Sequence, residues 1–191
     1  MIINNIFMLV EKINKNIYKL FQSIINKIRF KSFGSKSIIY KPDRIVGSSN
    51  ISIGNEVYIQ KHARIECVTN YAGVKFDSAL SIGDGTTIEE RCHIVSAGVL
   101  NIGKGCMISA DVFISDCNHG LLPNIKFIDQ PLEVKQTTVG NHCFIGIGAK
   151  ILPGVTLNDN CVVGANSVVT HDVPQNSIVV GVPAKIIGYI N

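Results

Sequence analysis

The sequence of 191 residues has no C-x-x-C pair, although it contains six cysteines, at positions 67, 92, 106, 117, 143 and 161. That spacing supports neither a zinc ribbon nor a thioredoxin-type redox motif, and it leaves the thiols reduced, as small apolar side chains. No apolar run reaches the length needed to cross a bilayer. The stretch Ile6 to Val10 stops at Glu11 and Lys12 with no small-residue cleavage site behind it, so no signal peptide is expected and the protein is read as cytoplasmic. Charge is also scarce: Asp, Glu, Lys and Arg make up 17% of the chain, and the net charge is only +4. The basic residues gather before residue 45 rather than forming a stripe interleaved with aromatics, which gives a nucleic-acid partner no support.

What the chain does have is apolar content, 46%, and 17 glycines, many of them in Ile-Gly or Val-Gly pairs. This suits one packed domain of ordinary size with a short appendage. In residues 2–30, Ile3, Ile6, Phe7, Val10, Ile13, Ile17, Leu20, Phe21, Ile24, Ile25 and Ile28 recur at spacings of three and four, predicting one or two amphipathic helices. Lys12, Lys15, Lys19, Lys27 and Arg29 lie on the other face. Such a segment either covers an apolar edge of this protein or a neighbour, the role favoured here, or rests on the surface of an anionic membrane.

Beyond residue 36 the dominant signal is a period of six. From Val139 onward the sixth-place residues are Val139, Ile145, Ile151, Leu157, Val163 and Val169, all aliphatic. Glycine often follows (Gly140, Gly146, Gly164), and the residue four places on is small or branched: Cys143, Ala149, Val155, Cys161, Ser167, Val173. The same phase runs through Ile53, Ile59, Ile65, then Ile82, Ile88, Ile94, then Ile102, Ile108, Ile114. Neither an α-helix nor an alternating strand repeats at six. Short strands separated by tight turns do, three of them making about 18 residues and one triangular coil of a parallel β-helix. The rhythm breaks twice, at Val68 to Leu80 and after His119, where the residues 120–138 form a loop expected to project from the column. The expected divisions are a helical segment at 1–35, the β-helix at 36–187 and a short tail at 188–191.

Residues 51–187 resemble the hexapeptide-repeat acyltransferases, in the branch of maltose, galactoside and surface-polysaccharide O-acetyltransferases. "VGNHCFIGIGAKILPGVTLNDNCVVGANSVVTHDVPQNSIVVGVPAKII" (139–187) is similar to the family's C-terminal coils, and "SDCNHG" followed by a loop with "DQP" is similar to its active-site segment. The resemblance implies a left-handed helix, against the usual right-handed rule for parallel crossovers. It also implies a homotrimer with active sites between subunits, acetyl-CoA as cosubstrate with no metal, and a sugar or glycan acceptor.

It further implies that His119 is the general base. A sugar hydroxyl attacks a thioester poorly until its proton is accepted, and imidazole, with an ordinary pKa of about 6.5, can take that proton and return it to the leaving thiolate. Asp116 and Asn118 flank the histidine, as orienting or sugar-binding groups or as turn formers. His93 is a candidate for the acceptor pocket. Arg91 aligns with a substrate-binding asparagine of the family, a departure that points toward an anionic or phosphate-linked acceptor. His62, His142 and His171 fall at turn-like, solvated positions. For the cofactor the resemblance carries over to Phe144, Gly146, Ile147, Ala165, Thr170 and Lys185, with Lys185 meeting phosphate as a point charge. Phe144 stands where tryptophan is common in the family, and Gly188 where some members have a second basic residue. For Ile147 and Ala165, ordinary coil packing is the competing reading.

Three other readings are compatible with parts of this pattern. An antibiotic O-acetyltransferase shares the scaffold and the histidine. An amino-sugar N-acyltransferase shares the mechanism, though most of that group carry an extra N-terminal nucleotide-sugar domain that this chain lacks. A non-catalytic β-helix needs neither His119 nor a CoA groove. The zinc-binding γ-carbonic anhydrases use the same helix, but their paired histidines five residues apart are not matched here, since position 124 is Asn.

Overall fold

The structure is a computed structural model that describes residues 24–190. Strands of two to six residues wind into a three-sided column. The first face is the sheet of Ser32–Phe33, Ile51–Ile53, Ala79–Ile82, Val99–Ile102, Thr137–Val139 and Thr156–Leu157. The second runs Ile38–Ile39, Tyr58–Ile59, Thr87–Ile88, Met107–Ile108, Phe144–Ile145, Val162–Val163 and Ser177–Gly181, and the antiparallel strand Ala184–Tyr189 closes it. The third runs Arg44–Val46, Arg64–Cys67, His93–Ser96, Phe113–Ser115, Lys150–Ile151 and Val168–Val169. Within the column every neighbouring pair is parallel until that last strand. The architecture is the parallel β-helix that the six-residue period predicts, with the left hand that the family resemblance implies.

A two-residue strand has almost no stability of its own. Here it persists because the sixth-place residues stack. On the third face Ile65, Ile94, Ile114 and Ile151 are in register, on the second Ile59, Ile88, Ile108, Ile145 and Val163, and on the first Ile53, Ile82, Ile102, Val139 and Leu157. All of them are buried, each side chain worth about 1.5–3 kcal/mol when withdrawn from water. The small residues four places on, from Cys143 to Val173, are buried as well, and all six cysteines are free and buried. Close stacking fixes the glycines that follow the first-face strands: a Cβ on Gly103 would lie 2.5 Å from the Gly140 backbone. Only a residue without a side chain fits there.

Two boundaries differ from the sequence reading. The column begins at Ser32–Phe33, before residue 36, and its last strand runs through position 188 to Tyr189. Of the predicted helical segment, residues 1–23 lie outside the described residues. Residues 24–29 are helical, but the apolar stripe does not face the column: Ile24, Ile25 and Ile28 are exposed, while Asn26 and Phe30 are buried. Phe30 packs against Phe33 with ring centroids 5.5 Å apart, so this turn covers the column's first coil through Phe30 and leaves the isoleucines outward. Among the described residues no helix is long and apolar enough to cross a membrane.

Candidate active site

Both interruptions of the repeat emerge beside the third face. The first becomes a hairpin, Asn70–Tyr71 paired antiparallel with Val74–Lys75, whose two turn residues, Ala72 and Gly73, both have positive φ. This is the geometry that matches the twist of a tight hairpin. The second leaves the column after Ser115 as the strand Cys117–His119, which pairs antiparallel with Leu132–Val134 so that His119 lies opposite Leu132. The Thr137 hydroxyl donates to the Ser115 carbonyl at 3.0 Å, tying the two ends of the excursion together.

The tip of the excursion is held by one side chain. Gln130 is fully buried; its Oε1 accepts from the Leu122 N–H at 2.7 Å, and its Nε2 donates to the carbonyls of Leu122 at 3.2 Å and Ile125 at 2.8 Å. This is the physical role of the glutamine in the "DQP" segment. Leu121, Leu122, Ile125, Phe127 and Ile128 remain exposed around it.

Hairpin, excursion and third face enclose a cleft of about 450 Å³. His119 and Asn118 line it, both exposed, and the ring of Tyr71 meets the imidazole edge-on at 5.3 Å and 63°. The floor is the outward row of the third face, where Arg44, Arg64, His93 and Phe113 are in register. Glu66 is buried (8% exposed), and its Oε1 accepts from Arg64 Nη2 at 2.7 Å and Nε at 3.1 Å, with Arg44 Nε at 3.7 Å. His93 Nε2 approaches the same oxygen at 3.6 Å, beyond hydrogen-bond range, and has no partner although it is sealed from solvent. Burial, and after it the Arg64 charge, push the His93 imidazole below its ordinary pKa and hold it neutral. Its ring stacks edge-on against Phe113 at 5.6 Å.

The acceptor residues expected from sequence divide. His93 and Asn118 line the cleft with His119, whereas Asp116 and Arg91 do not. Asp116 is fully buried beneath the excursion, accepting from the Ser96 hydroxyl at 2.7 Å and the N–H groups of Ala97 at 2.7 Å and Gly98 at 3.0 Å. With those donors in place it braces the strand exit. Arg91 is a corner residue with φ 56°; its Nε and Nη2 each donate to Asp111 at 2.8 Å, and Glu90 lies at 3.3 Å. This corner lies on the edge between the second and third faces. The cleft residues missed from sequence are Tyr71, Arg44 and Glu66, with Arg64 beside them holding Glu66; the outward positions 64 and 66 flanking buried Ile65 were the available signal.

The cofactor residues also divide. Gly146, Ile147 and Ala165 occupy turns on the edge between the second and third faces, with Phe144 just before them and Lys185 opposite Val180 one rung on. Phe144 and Ile147 are exposed there, giving the edge an apolar surface. Thr170 instead follows the third face, on the edge from which His119 departs, and bonds His171 Nδ1 at 2.8 Å. None of the six lines the His119 cleft. His62 and His142 sit at corners with positive φ, and His62 faces Asp43 at 2.8 Å.

This combination of a hexapeptide column and a single exposed histidine beside an extruded loop defines a class. Residues 136–171 match the family described as bacterial transferase hexapeptide (six repeats). The chain is 33% identical over 138 residues to a protein of Escherichia coli K12 assigned as a lipopolysaccharide-biosynthesis O-acetyl transferase, an alignment covering 66% of this chain and 70% of that one. It is 31% identical over 169 residues to the dTDP-4-amino-4,6-dideoxy-D-glucose acyltransferase of E. coli, covering 84% and 83%. Its fold matches an N-acyltransferase of Bacillus cereus, solved with dTDP and coenzyme A, at a TM-score of 0.72 and 22% identity over 89% of each chain. The chain belongs to the bacterial transferase hexapeptide family and is an acyltransferase.

Proposed function

We propose that this protein transfers an acetyl group from acetyl-CoA to a hydroxyl of a sugar unit destined for a surface polysaccharide, with His119 as the general base. The observation that carries the reading is the placement of His119: exposed on the wall of a cleft, yet fixed on a strand pair and against Tyr71. The imidazole accepts the proton of the acceptor hydroxyl as its oxygen bonds to the thioester carbonyl carbon. Collapse of the tetrahedral adduct breaks the carbon–sulfur bond, and the departing thiolate takes the proton back. Base catalysis of this kind contributes about 10²–10⁴-fold, and holding both substrates in one cleft supplies much of the rest. His93 is the weaker candidate for base, because its Nε2 is sealed against Glu66; it serves as part of the acceptor wall, with Asn118 beside it.

The donor is read as lying along Phe144, Gly146, Ile147 and Ala165, with Lys185 at its phosphates. That edge and the His119 edge are separated by the full width of the third face, and Thr170 shares the His119 edge. A homotrimer resolves the separation: the donor edge of one protomer meets the His119 and Thr170 edge of the next. The protein is read as cytoplasmic, with peripheral contact to the membrane through residues 2–30.

A second reading, N-acylation of an amino-sugar nucleotide, is favoured by the name and coverage of the E. coli dTDP-amino-sugar relative. One assay separates the two. Coenzyme A release is followed over a panel of sugars, amino sugars, nucleotide sugars and antibiotics, and the product is treated with hydroxylamine. An ester that hydroxylamine cleaves supports O-acetylation; an amide that survives it replaces that reading with the second.

A further inference from the structure

The floor of the cleft carries more positive charge than its own contacts use. Arg44 and Arg64 are adjacent rungs of one sheet, side by side on its outward row, about 4.8 Å apart at the backbone. They share a single carboxylate, Glu66, and both of the Arg64 bonds fall on the same oxygen. Glu66 is nearly buried, whereas the side chains of Arg64 and Arg44 remain 44% and 58% exposed. The Arg64 guanidinium reaches residue 66, two places further along its strand, so it leans toward the edge from which His119 projects. Lys150, later in the same row, turns its ammonium onto the Asp111 carbonyl at 2.9 Å and does not line the cleft. Arg29 likewise donates to a carbonyl, that of Ile45 at 3.2 Å, and does not line the cleft. Besides Arg44 and Glu66, the polar residues on the cleft wall are Asn70, Tyr71, His93, Ser115, Cys117, Asn118 and His119.

We propose that the acceptor carries an anionic group, a phosphate or a carboxylate, received by Arg44 on the cleft wall while its reacting group lies at His119; Arg64, just outside the lining, offsets the Glu66 charge. Glu66 is then a positioning residue: it fixes the Arg64 fork and leaves the second guanidinium free for a bidentate partner. From the Arg64 rung to the Phe113 rung is two strand spacings, about 10 Å along the column, which leaves room for one sugar ring between the two ends. The apolar surfaces of Val95, Phe113 and Leu132 line the space between. This inference rests on the acyl-transfer reading for the role of the far end, but the anion subsite itself needs no transfer to be observed.

The test is equilibrium binding to the full chain, by titration calorimetry without acetyl-CoA, of α-D-glucose 1-phosphate, D-glucuronate and methyl α-D-glucoside. One of the anions should bind about 10–100-fold more tightly than the neutral glycoside, with the advantage shrinking as salt rises. Which anion wins distinguishes the phosphate from the carboxylate. Arg44→Met, which leaves the Arg64 and Glu66 contacts intact, should remove most of that preference. Arg64→Lys, which keeps a charged partner for Glu66 but loses the fork, should reduce it, and His119→Ala should leave it unchanged. Equal binding of all three probes, no binding of either anion, or a preference that survives Arg44→Met overturns the proposal. An anion preference without coenzyme A release on any acceptor overturns the transfer reading and leaves the subsite standing.

Discussion

The interior of the column and the two outgrowths beside its third face are built on opposite terms. Inside, Ile94 and Ile114 are fully buried, each in register with the same residue type above and below. Outside, His119, Leu121 and Phe127 are exposed, and their positions depend on contacts that occur once, such as Gln130 under the loop and Tyr71 against the imidazole. Repetition gives a stiff frame with no room for a reacting molecule. Interruption gives a cleft, supported by that frame, at the cost of redundancy.

Substitutions can break this contrast in either direction. Ile114→Ala, inside the column, should cost about 2–5 kcal/mol in urea unfolding; a loss below 1 kcal/mol contradicts a close-packed column. Asp116→Ala should follow, at about 1–3 kcal/mol, because it orphans the N–H groups of Ala97 and Gly98. Asn118→Ala, two residues further on the cleft wall, should stay within about 0.5 kcal/mol in stability and raise the KM for acceptor instead. If the two variants exchange effects, Asp116 is a ligand after all. Gln130→Ala should leave the column intact and appear as faster amide hydrogen exchange confined to residues 120–131.

The smallest effect concerns His93. Folding holds its imidazole below the ordinary pKa, so the unfolded chain takes up the proton first as pH falls. This residue's contribution to stability is therefore full above about pH 6.5. It declines as pH drops through that value and levels off below the folded pKa. Melting temperatures from pH 7.5 to 5 should show a shallower acid decline in His93→Gln; an unchanged slope removes His93 as its source.

The frame was legible in the sequence because its cause is periodic: each sixth aliphatic residue marks a buried rung, and the glycines after the first-face strands mark backbone contact between coils. His119 was legible because the period stops there. Of the cleft floor only His93 was. Arg44 and Arg64 become its neighbours only through the register of three coils, and the coil between Arg64 and His93 is lengthened by the Tyr71 hairpin. Arg91 does not join the cleft of its own protomer, because it stands at a corner with positive φ and pairs with Asp111. For Asp116, nearness to His119 in sequence does not settle facing: its side chain is buried, whereas that of residue 118 is exposed.

The central claim is that the histidine at the break in the repeat performs the proton transfer while the column supplies only the frame. The measurement that addresses it most directly is a parallel determination, for wild type and His119→Ala, of coenzyme A release, coenzyme A binding and melting temperature. The account predicts a fall in turnover of about 10²–10⁴-fold with binding and melting temperature unchanged. Turnover within a few-fold of wild type, in a variant that is folded and binds coenzyme A, contradicts it.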